Sequence, residues 1–276
     1  MEFRMENAAH SQSENCPRPS VEGQEWARQL FSFSPLKQRK LSKLLAYSGN
    51  YTEKRCLDIG SDNGVVSLML RDEGGTWSSV DLIPETVTAI RSLVGERVYQ
   101  TDGVTLPFPD HAFDLVAIVD LLEHIETDDA FVKEVARVLR TGGTLIVNVP
   151  DPHEGLLRRI RFALGQTDKA HGHVRAGYSK EALQKLLSTQ FRIEEEETYS
   201  RLPAELVDTA VTAALDILKG KRTKKGTVFT GTDSKKMAGS FKIYKILYPL
   251  FWAAVKLDNL LTFLPANMRI VRATRI

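Results

Sequence analysis

The carboxylates whose placement could do chemistry are Asp58, Asp62, Asp81 and Asp102. The first two lie in Leu57-Asp58-Ile59-Gly60-Ser61-Asp62-Asn63-Gly64, an apolar run broken by two glycines and followed by the helical-looking run Val65 to Leu70. A strand, a tight turn and a helix N-terminus in that order form the usual seat for an anionic or nucleotide ligand. Asp81 stands 21 residues beyond Gly60. An acid at that strand end can accept hydrogen bonds from both hydroxyls of a ribose. Asp102, in Thr101-Asp102-Gly103, ends a third strand. There a carboxylate can accept from an exocyclic amine while Leu106, Pro107 and Phe108 sandwich a ring. Each acid also has an ordinary reading: Asp81 as an N-cap before Pro84, Asp102 as a turn residue before Gly103.

The loop excludes the commoner phosphate binders. A P-loop needs a lysine after its last glycine, and Gly64 is followed by Val65-Val66. A dinucleotide fingerprint needs glycines at offsets 0, 2 and 5, which here are Gly60, Asp62 and Val65. A pyrophosphate pressed against Asp62 would cost roughly several kcal/mol in a partly dehydrated cleft. The loop therefore suits a nucleoside without phosphates.

Six histidines are candidates for proton transfer. His10 falls in the N-terminal tail, His124 follows the fourth strand and His153 the fifth. His171 and His173 lie in Ala170-His171-Gly172-His173-Val174-Arg175. As base for an acceptor hydroxyl the order of preference is His173, His124, His153. The His-x-His pair could bind a metal, but no Cys or further His stands near it in sequence, so no metal is expected.

These residues need strands to carry them. Strand candidates are 55–59, 77–81, 97–100, 113–119, 143–149 and 191–198, with a last one at 269–274. Helical candidates lie at 64–72, 84–94, 128–139 and 179–188, and Ser179 reads as an N-cap. An earlier helical segment covers 21–48. Alternating elements with nearly continuous apolar strands imply an α/β doubly wound, mostly parallel sheet covered on both faces. Two segments interrupt the alternation, 150–178 and 201–266, and would cap the ligand end of the sheet. Residues 1–20 read as a disordered tail, and 21–276 as one domain.

Charge is uneven. The net charge is +2, yet residues 219–276 carry thirteen Lys/Arg against Asp233 and Asp258, or +11, leaving −9 for residues 1–218. Either an anionic partner or a solvated basic loop explains Lys219-Gly220-Lys221-Arg222-Thr223-Lys224-Lys225. The apolar run Ile246–Val255 is half the length of a membrane span. With Tyr244, Tyr248, Phe251, Trp252 and nearby lysines it reads as an interfacial amphipathic helix or as a helical cap or dimer partner, with Pro249 as a kink or a helix start. Residues 202–218 are apolar enough to pair with it. Peripheral contact with an anionic membrane through 219–264, and a homodimer, are the partner expectations; nucleic acid is disfavoured. Two cysteines, Cys16 and Cys56, give no disulfide framework and suggest a reducing, cytoplasmic setting.

Six segments taken together resemble one family. They are Leu57 to Gly64; Val80-Asp81; Thr101 to Phe108; Phe113-Asp114-Leu115-Val116; Leu121-Leu122-Glu123-His124-Ile125; and Arg137-Val138-Leu139-Arg140-Thr141-Gly142-Gly143. In this order, over residues 55–150, the chain resembles a class I S-adenosylmethionine-dependent methyltransferase of the small-molecule type. The resemblance implies a Rossmann-like fold with an antiparallel final strand and S-adenosyl-L-methionine as cofactor. It implies a binding set of Asp58, Gly60, Ser61, Asp62, Gly64, Asp81, Leu82, Thr101, Asp102, Gly103, Asp120, Leu121 and Leu122. Within it Asp81 would hold the ribose and Asp102 the adenine. The departure from the family is Asp62, where glycine is usual. The acceptor would be a small, lipid-like or glycan-precursor metabolite, methylated at oxygen or carbon. A non-catalytic membrane- or nucleic-acid-binding module is the alternative.

Overall fold

A computed structural model describes residues 19–153, 155–163, 167–168, 172–219 and 234–276. The tail through residue 18 with His10 and Cys16, His171, and the basic stretch after Lys219 lie outside the described residues.

Seven strands form one sheet: β1 (Arg55–Ile59), β2 (Thr76–Asp81), β3 (Val98–Gln100), β4 (Phe113–Val119), β5 (Leu139–Pro150), β6 (Phe191–Arg201) and β7 (Ala266–Arg275). Their spatial order is β3-β2-β1-β4-β5-β7-β6. The first five run parallel, and β7 lies antiparallel to both β5 and β6. The order reverses between β1 and β4, the switch point at which such sheets open a crevice at the strands' C-terminal ends. Nine helices are described: α1 (Val21–Ser32), α2 (Pro35–Ser48), α3 (Val65–Asp72), α4 (Pro84–Val94), α5 (Asp128–Val138), α6 (Leu156–Ala163), α7 (Lys180–Leu187), α8 (Leu202–Lys219) and α9 (Ser234–Leu260).

The unbroken apolar strands are explained by burial on both faces. Along β4, Val116 and Ile118 pack with Leu145, Val147, Phe131 and Leu187 on the face covered by α5 and α7. Leu115, Ala117 and Val119 face the other way, onto Leu41 and Leu44 of α2 and Leu68 of α3. Cys56 is buried there, and burial pushes its thiol up to about 12, so it is an inert core group.

Both interruptions carry helices. The first holds α6 and then returns through Tyr178, whose N–H donates to the Pro150 carbonyl at 2.9 Å. A Cβ at Gly177 would lie 2.1 Å from that carbonyl oxygen, so the return needs glycine. Ser179 caps α7 as its sequence suggests, accepting from the Ala182 N–H at 3.2 Å. The second holds α8 and α9, packed against each other. The helix does not start at Pro249: α9 begins fifteen residues earlier and runs through it. What proline removes is one backbone donor, which a helix fixed at several points can spare.

Candidate functional site

The glycine loop crosses the end of β4 at close range. Gly60 has φ 88°, and a Cβ there would meet the Val119 carbonyl oxygen at 2.5 Å and the Leu121 Cβ at 2.7 Å. A Cβ on Gly64 would meet the Ile90 Cα of α4 at 2.7 Å. Between them Asp62 also takes a left-handed conformation, φ 56°. Asp tolerates that region better than most residues with a side chain, which is how it can stand at a place suited to glycine. The loop's path is kept and a half-buried carboxylate is added.

Asp58 does not face the crevice. Its carboxylate is fully buried and accepts from the Ser67 hydroxyl and, at 2.6 Å, from Ser79, with Arg71 behind it at 3.8 Å. Ser67 also contacts Ser61, so Asp58 ties β1, β2 and the start of α3 together beneath the loop. It positions the loop.

Asp81 ends β2 with 4% exposure. Burial raises its carboxyl above the ordinary range, against the opposing pull of the nearby Thr86 hydroxyl and of the Ile83 N–H, which donates to it at 3.3 Å. Leu82, beside it, is half-buried and touches the space a Gly103 Cβ would fill, 3.2 Å away. Asp102 is exposed, and one of its oxygens is occupied by its own turn: it accepts from the N–H groups of Val104 at 2.8 Å and Thr105 at 2.7 Å. These backbone donors hold its carboxyl below the usual range. The turn reading of Asp102 is therefore correct for one oxygen, and Thr101, donating its hydroxyl to the Thr105 carbonyl at 2.6 Å, closes the same turn.

Asp120 follows β4 with φ 50°. Asn148 donates to one of its oxygens at 2.7 Å, and the Tyr199 hydroxyl donates to Asn148 at 2.6 Å. The other oxygen takes the ammonium of Lys40, reaching in from α2. Burial alone would lower that ammonium; the field and hydrogen bond of Asp120 outweigh it and raise it. Leu121 and Leu122 next to it are buried apolar wall. Thus Gly60, Asp62, Asp81, Thr101–Gly103 and Asp120 all occupy the C-terminal ends of β1 to β4.

Comparison with known proteins decides what this edge belongs to. Residues 57–147 match the family described as a methyltransferase domain. These residues are a class I S-adenosylmethionine-dependent methyltransferase domain. The ubiquinone biosynthesis O-methyltransferase of Xylella fastidiosa strain M23 is 30% identical over 125 residues, covering 43% of this chain and 49% of that protein. The demethylmenaquinone methyltransferase of Thermus thermophilus is 32% identical over 120 residues, covering 40% and 54%. The chain thus spans about half the length of the curated relatives it matches. Among solved structures, Haemonchus contortus phosphoethanolamine N-methyltransferase 2, bound to phosphomonomethylethanolamine and S-adenosylhomocysteine, superposes with TM-score 0.54 at 17% identity, covering 86% of this chain and 52% of that one. The [4+2]-cyclase SpnF superposes with TM-score 0.57 at 17% identity, covering 95% and 98%. These two likenesses are of fold.

Around the methyltransferase edge the fold assembles groups that sequence spacing left apart. Leu122–His124 form a single 3₁₀ turn after β4. The loop from the first interruption is zipped onto it: Val174 N–H donates to the Glu123 carbonyl at 2.9 Å, and His124 Nδ1 donates to the Gly172 carbonyl at 3.0 Å. A carbonyl only accepts, so the proton sits on His124 Nδ1 and a neutral ring keeps its Nε2 lone pair. The His124 and His173 rings meet edge to face at 4.6 Å. The Glu123 carboxylate, 1% exposed, joins them, and one ligand-type atom from each of the three lies within 4.8 Å of the others. This corrects the sequence expectation about completion of a metal site: the two groups beside His173 are Glu123 and His124, about 50 positions away, and the three could hold a cation. His153 is exposed at the end of β5 and is not in this cluster.

The cap adds charges that no motif announced. Lys37 of α2 lies in the field of Asp62, and burial lowers its ammonium more than Asp62 restores it. Asp208 of α8 is pushed up to about 6 by burial and then by Glu205, against the opposing pull of Arg161, Lys37 and Lys40. Arg161 of α6 pairs with Glu205 at 2.6 Å. A mixed-charge ceiling made by α2, α6 and α8 therefore lies on the Asp62 and Asp120 side of the crevice. For Lys40 the only sequence signal is that Lys37 and Lys40 share one face of a helix, at i and i+3.

Proposed function

We propose that the chain is an S-adenosylmethionine-dependent methyltransferase acting on oxygen or carbon of a small, ring-bearing or lipid-like metabolite. One observation carries this reading. Four strand ends in a row present a loop that only close backbone approach permits, a buried carboxylate at Asp81, an exposed turn at Asp102, and Asp120. Gly60 and Gly64 let the loop run close past the end of β4 and past α4, and the path this sets would cradle the amino-acid end of the cofactor. Asp81 accepts from its ribose, and the turn Thr101–Gly103 faces its adenine through the second Asp102 oxygen. Asp62 adds a carboxylate to the loop, a charge of the sign that suits a cationic sulfonium. When bound, the cofactor supplies an electrophilic methyl for in-line displacement, so the protein's main task is alignment.

A hydroxyl acceptor must also lose its proton. His124 Nε2 or His173 would take it, and the proximity of buried Glu123, which would stabilise the resulting imidazolium, supports that role. The relatives named for ubiquinone and menaquinone biosynthesis support a ring-bearing acceptor. The mixed-charge ceiling formed by Lys37, Lys40 and Asp208 supports one with polar substituents.

Isothermal titration with S-adenosylmethionine tests the cofactor; a wild-type protein that binds none overturns the reading. Transfer of labelled methyl to demethylmenaquinone and to hydroxylated benzoquinone precursors tests the acceptor separately. Binding with no transfer to any of these removes the ring-bearing acceptor and leaves the cofactor assignment standing.

A further inference from the structure

Helix α9 has one face anchored and one face bare. The anchored face carries Asp258, fully buried, which accepts from Arg39 at 2.8 Å and from the backbone N–H groups of Arg201 at 2.6 Å and Ala204 at 3.2 Å. Phe251 and Ala254 are buried on the same side. The rotation of the helix about its axis is thereby fixed, and the face beside the anchored one points outward. Ile246 is 75% exposed, Leu250 55%, Leu257 45% and Leu260 76%. With exposed Ala253 they follow a 4-3-4-3 spacing, a stripe about 80° wide and ~20 Å long at 1.5 Å per residue. Phe263, 77% exposed, follows just beyond the helix. Water does not favour a contiguous apolar ridge of this size on a folded surface.

What borders the ridge names its partner. Lys245 and Lys256 are exposed along one edge, and the Lys256 ammonium sits 5.3 Å from the ring centre of Trp252, itself 52% exposed. An exposed tryptophan beside lysines at the margin of an apolar stripe matches the composition of an interfacial helix. Behind that edge, between α9, α2 and β6, opens a groove of about 550 Å³ lined by Arg39, Lys43, Arg201 and Lys256 against one carboxylate, Glu197. Counting Asp258 behind Arg39 as well, the groove keeps a surplus of two positive charges. The whole region from Lys219 onward is +11 against −9 for the rest of the chain.

We propose that α9 docks the protein on an anionic lipid surface, with the stripe from Ile246 to Leu260 entering the interface and the Arg39–Lys256 groove receiving a phosphate-bearing headgroup. No described helix is long and apolar enough to cross a membrane, so the contact is peripheral. This inference goes beyond the methyltransferase reading and does not rest on it.

The test is flotation of the full chain with vesicles of phosphatidylcholine alone and of phosphatidylcholine with phosphatidylglycerol. The expected result is binding to the second only, lost in high salt. Ile246→Glu/Leu260→Glu should abolish flotation while S-adenosylmethionine titration matches the wild type, which shows that the variant is folded. Lys245→Glu/Lys256→Glu, which leaves the ridge apolar, should weaken flotation at least about thirtyfold, the product of two surface cations. Equal binding to both vesicle types, or to neither, overturns the proposal. So does a dimer in analytical ultracentrifugation that Ile246→Glu/Leu260→Glu splits, because a second copy then covers the stripe.

Discussion

The strand ends of residues 57–120 and the helical pair of 202–260 are held in different ways. In the first region each key conformation is made locally. Gly60, Asp62, Gly103 and Asp120 take positive φ within a few residues of a strand end, and of the four only Asp120 is tied to a distant helix, through Lys40. In the second, position depends on distant groups: Asp258 reaches Arg39 of α2 across 219 positions of sequence, and Arg161 reaches Glu205 across 44. Ligand geometry built from local turns can be shaped independently of the cap, while the cap stays in place through a few buried charges.

The sharpest way to break that contrast is to remove the cap's anchor. Asp258→Ala leaves Arg39 and two backbone donors without their buried acceptor, and should cost about 3–5 kcal/mol of stability. Denaturant unfolding should show this loss while titration with S-adenosylmethionine stays within about twofold of wild type, because the strand end that leans on Asp258 is that of β6, and none of the ends of β1 to β4 does. A matching loss of cofactor affinity would mean that the two regions are one cooperative unit. Gly60→Ala is the converse. Its Cβ would lie 2.5 Å from the Val119 carbonyl oxygen at φ 88°, so the loop must move. Cofactor affinity should fall by roughly a hundredfold or more, about 3 kcal/mol, as read by titration. Asp81→Ala removes a hydrogen-bond acceptor and leaves the backbone alone, and should weaken binding by about 1–3 kcal/mol.

The smallest effect concerns pH. Asp208 is pushed up to about 6 from 3.8, so between those values the folded protein holds a proton that the unfolded chain has released. Stability attached to this group is therefore full below about pH 4, falls as pH rises to about 6, and is flat above. Asp208→Asn should be more stable than wild type at pH 7, with the difference shrinking to nothing near pH 4. Thermal melts of the two proteins across that range check it; a gap independent of pH would place Asp208 in open solvent.

The same contrast explains what could be read from the chain. Strands β1, β2 and β4 and the cofactor edge were legible because a loop with two glycines and acids at successive strand ends leave marks within short windows. The antiparallel last strand was legible through the family resemblance. Asp58 was harder, since a buried loop-positioning acid and a ligand-facing acid look alike until Ser67 and Ser79 are seen donating to it. Lys40, Asn148 and Tyr199 converge on Asp120 from three elements, and Glu123 and His124 find His173 across an interruption. Such meetings depend on tertiary packing, which no periodicity records. The turn at Asp102 lay between: both the ligand and the turn readings followed from Thr101-Asp102-Gly103, and the structure assigns one oxygen to the turn.

The place of β7 has a consequence for how the molecule is made. It lies between β5 and β6, two strands that emerge from the ribosome long before it. Until residues 266–275 have been synthesised, both strands expose unpaired edges, and the whole α8–α9 excursion hangs between β6 and an absent neighbour. Closing a loop of that length adds little to the entropic cost but delays the step that seals the sheet. A nascent chain stalled before residue 266 therefore offers two sticky edges to other chains, and a chaperone would find its task there.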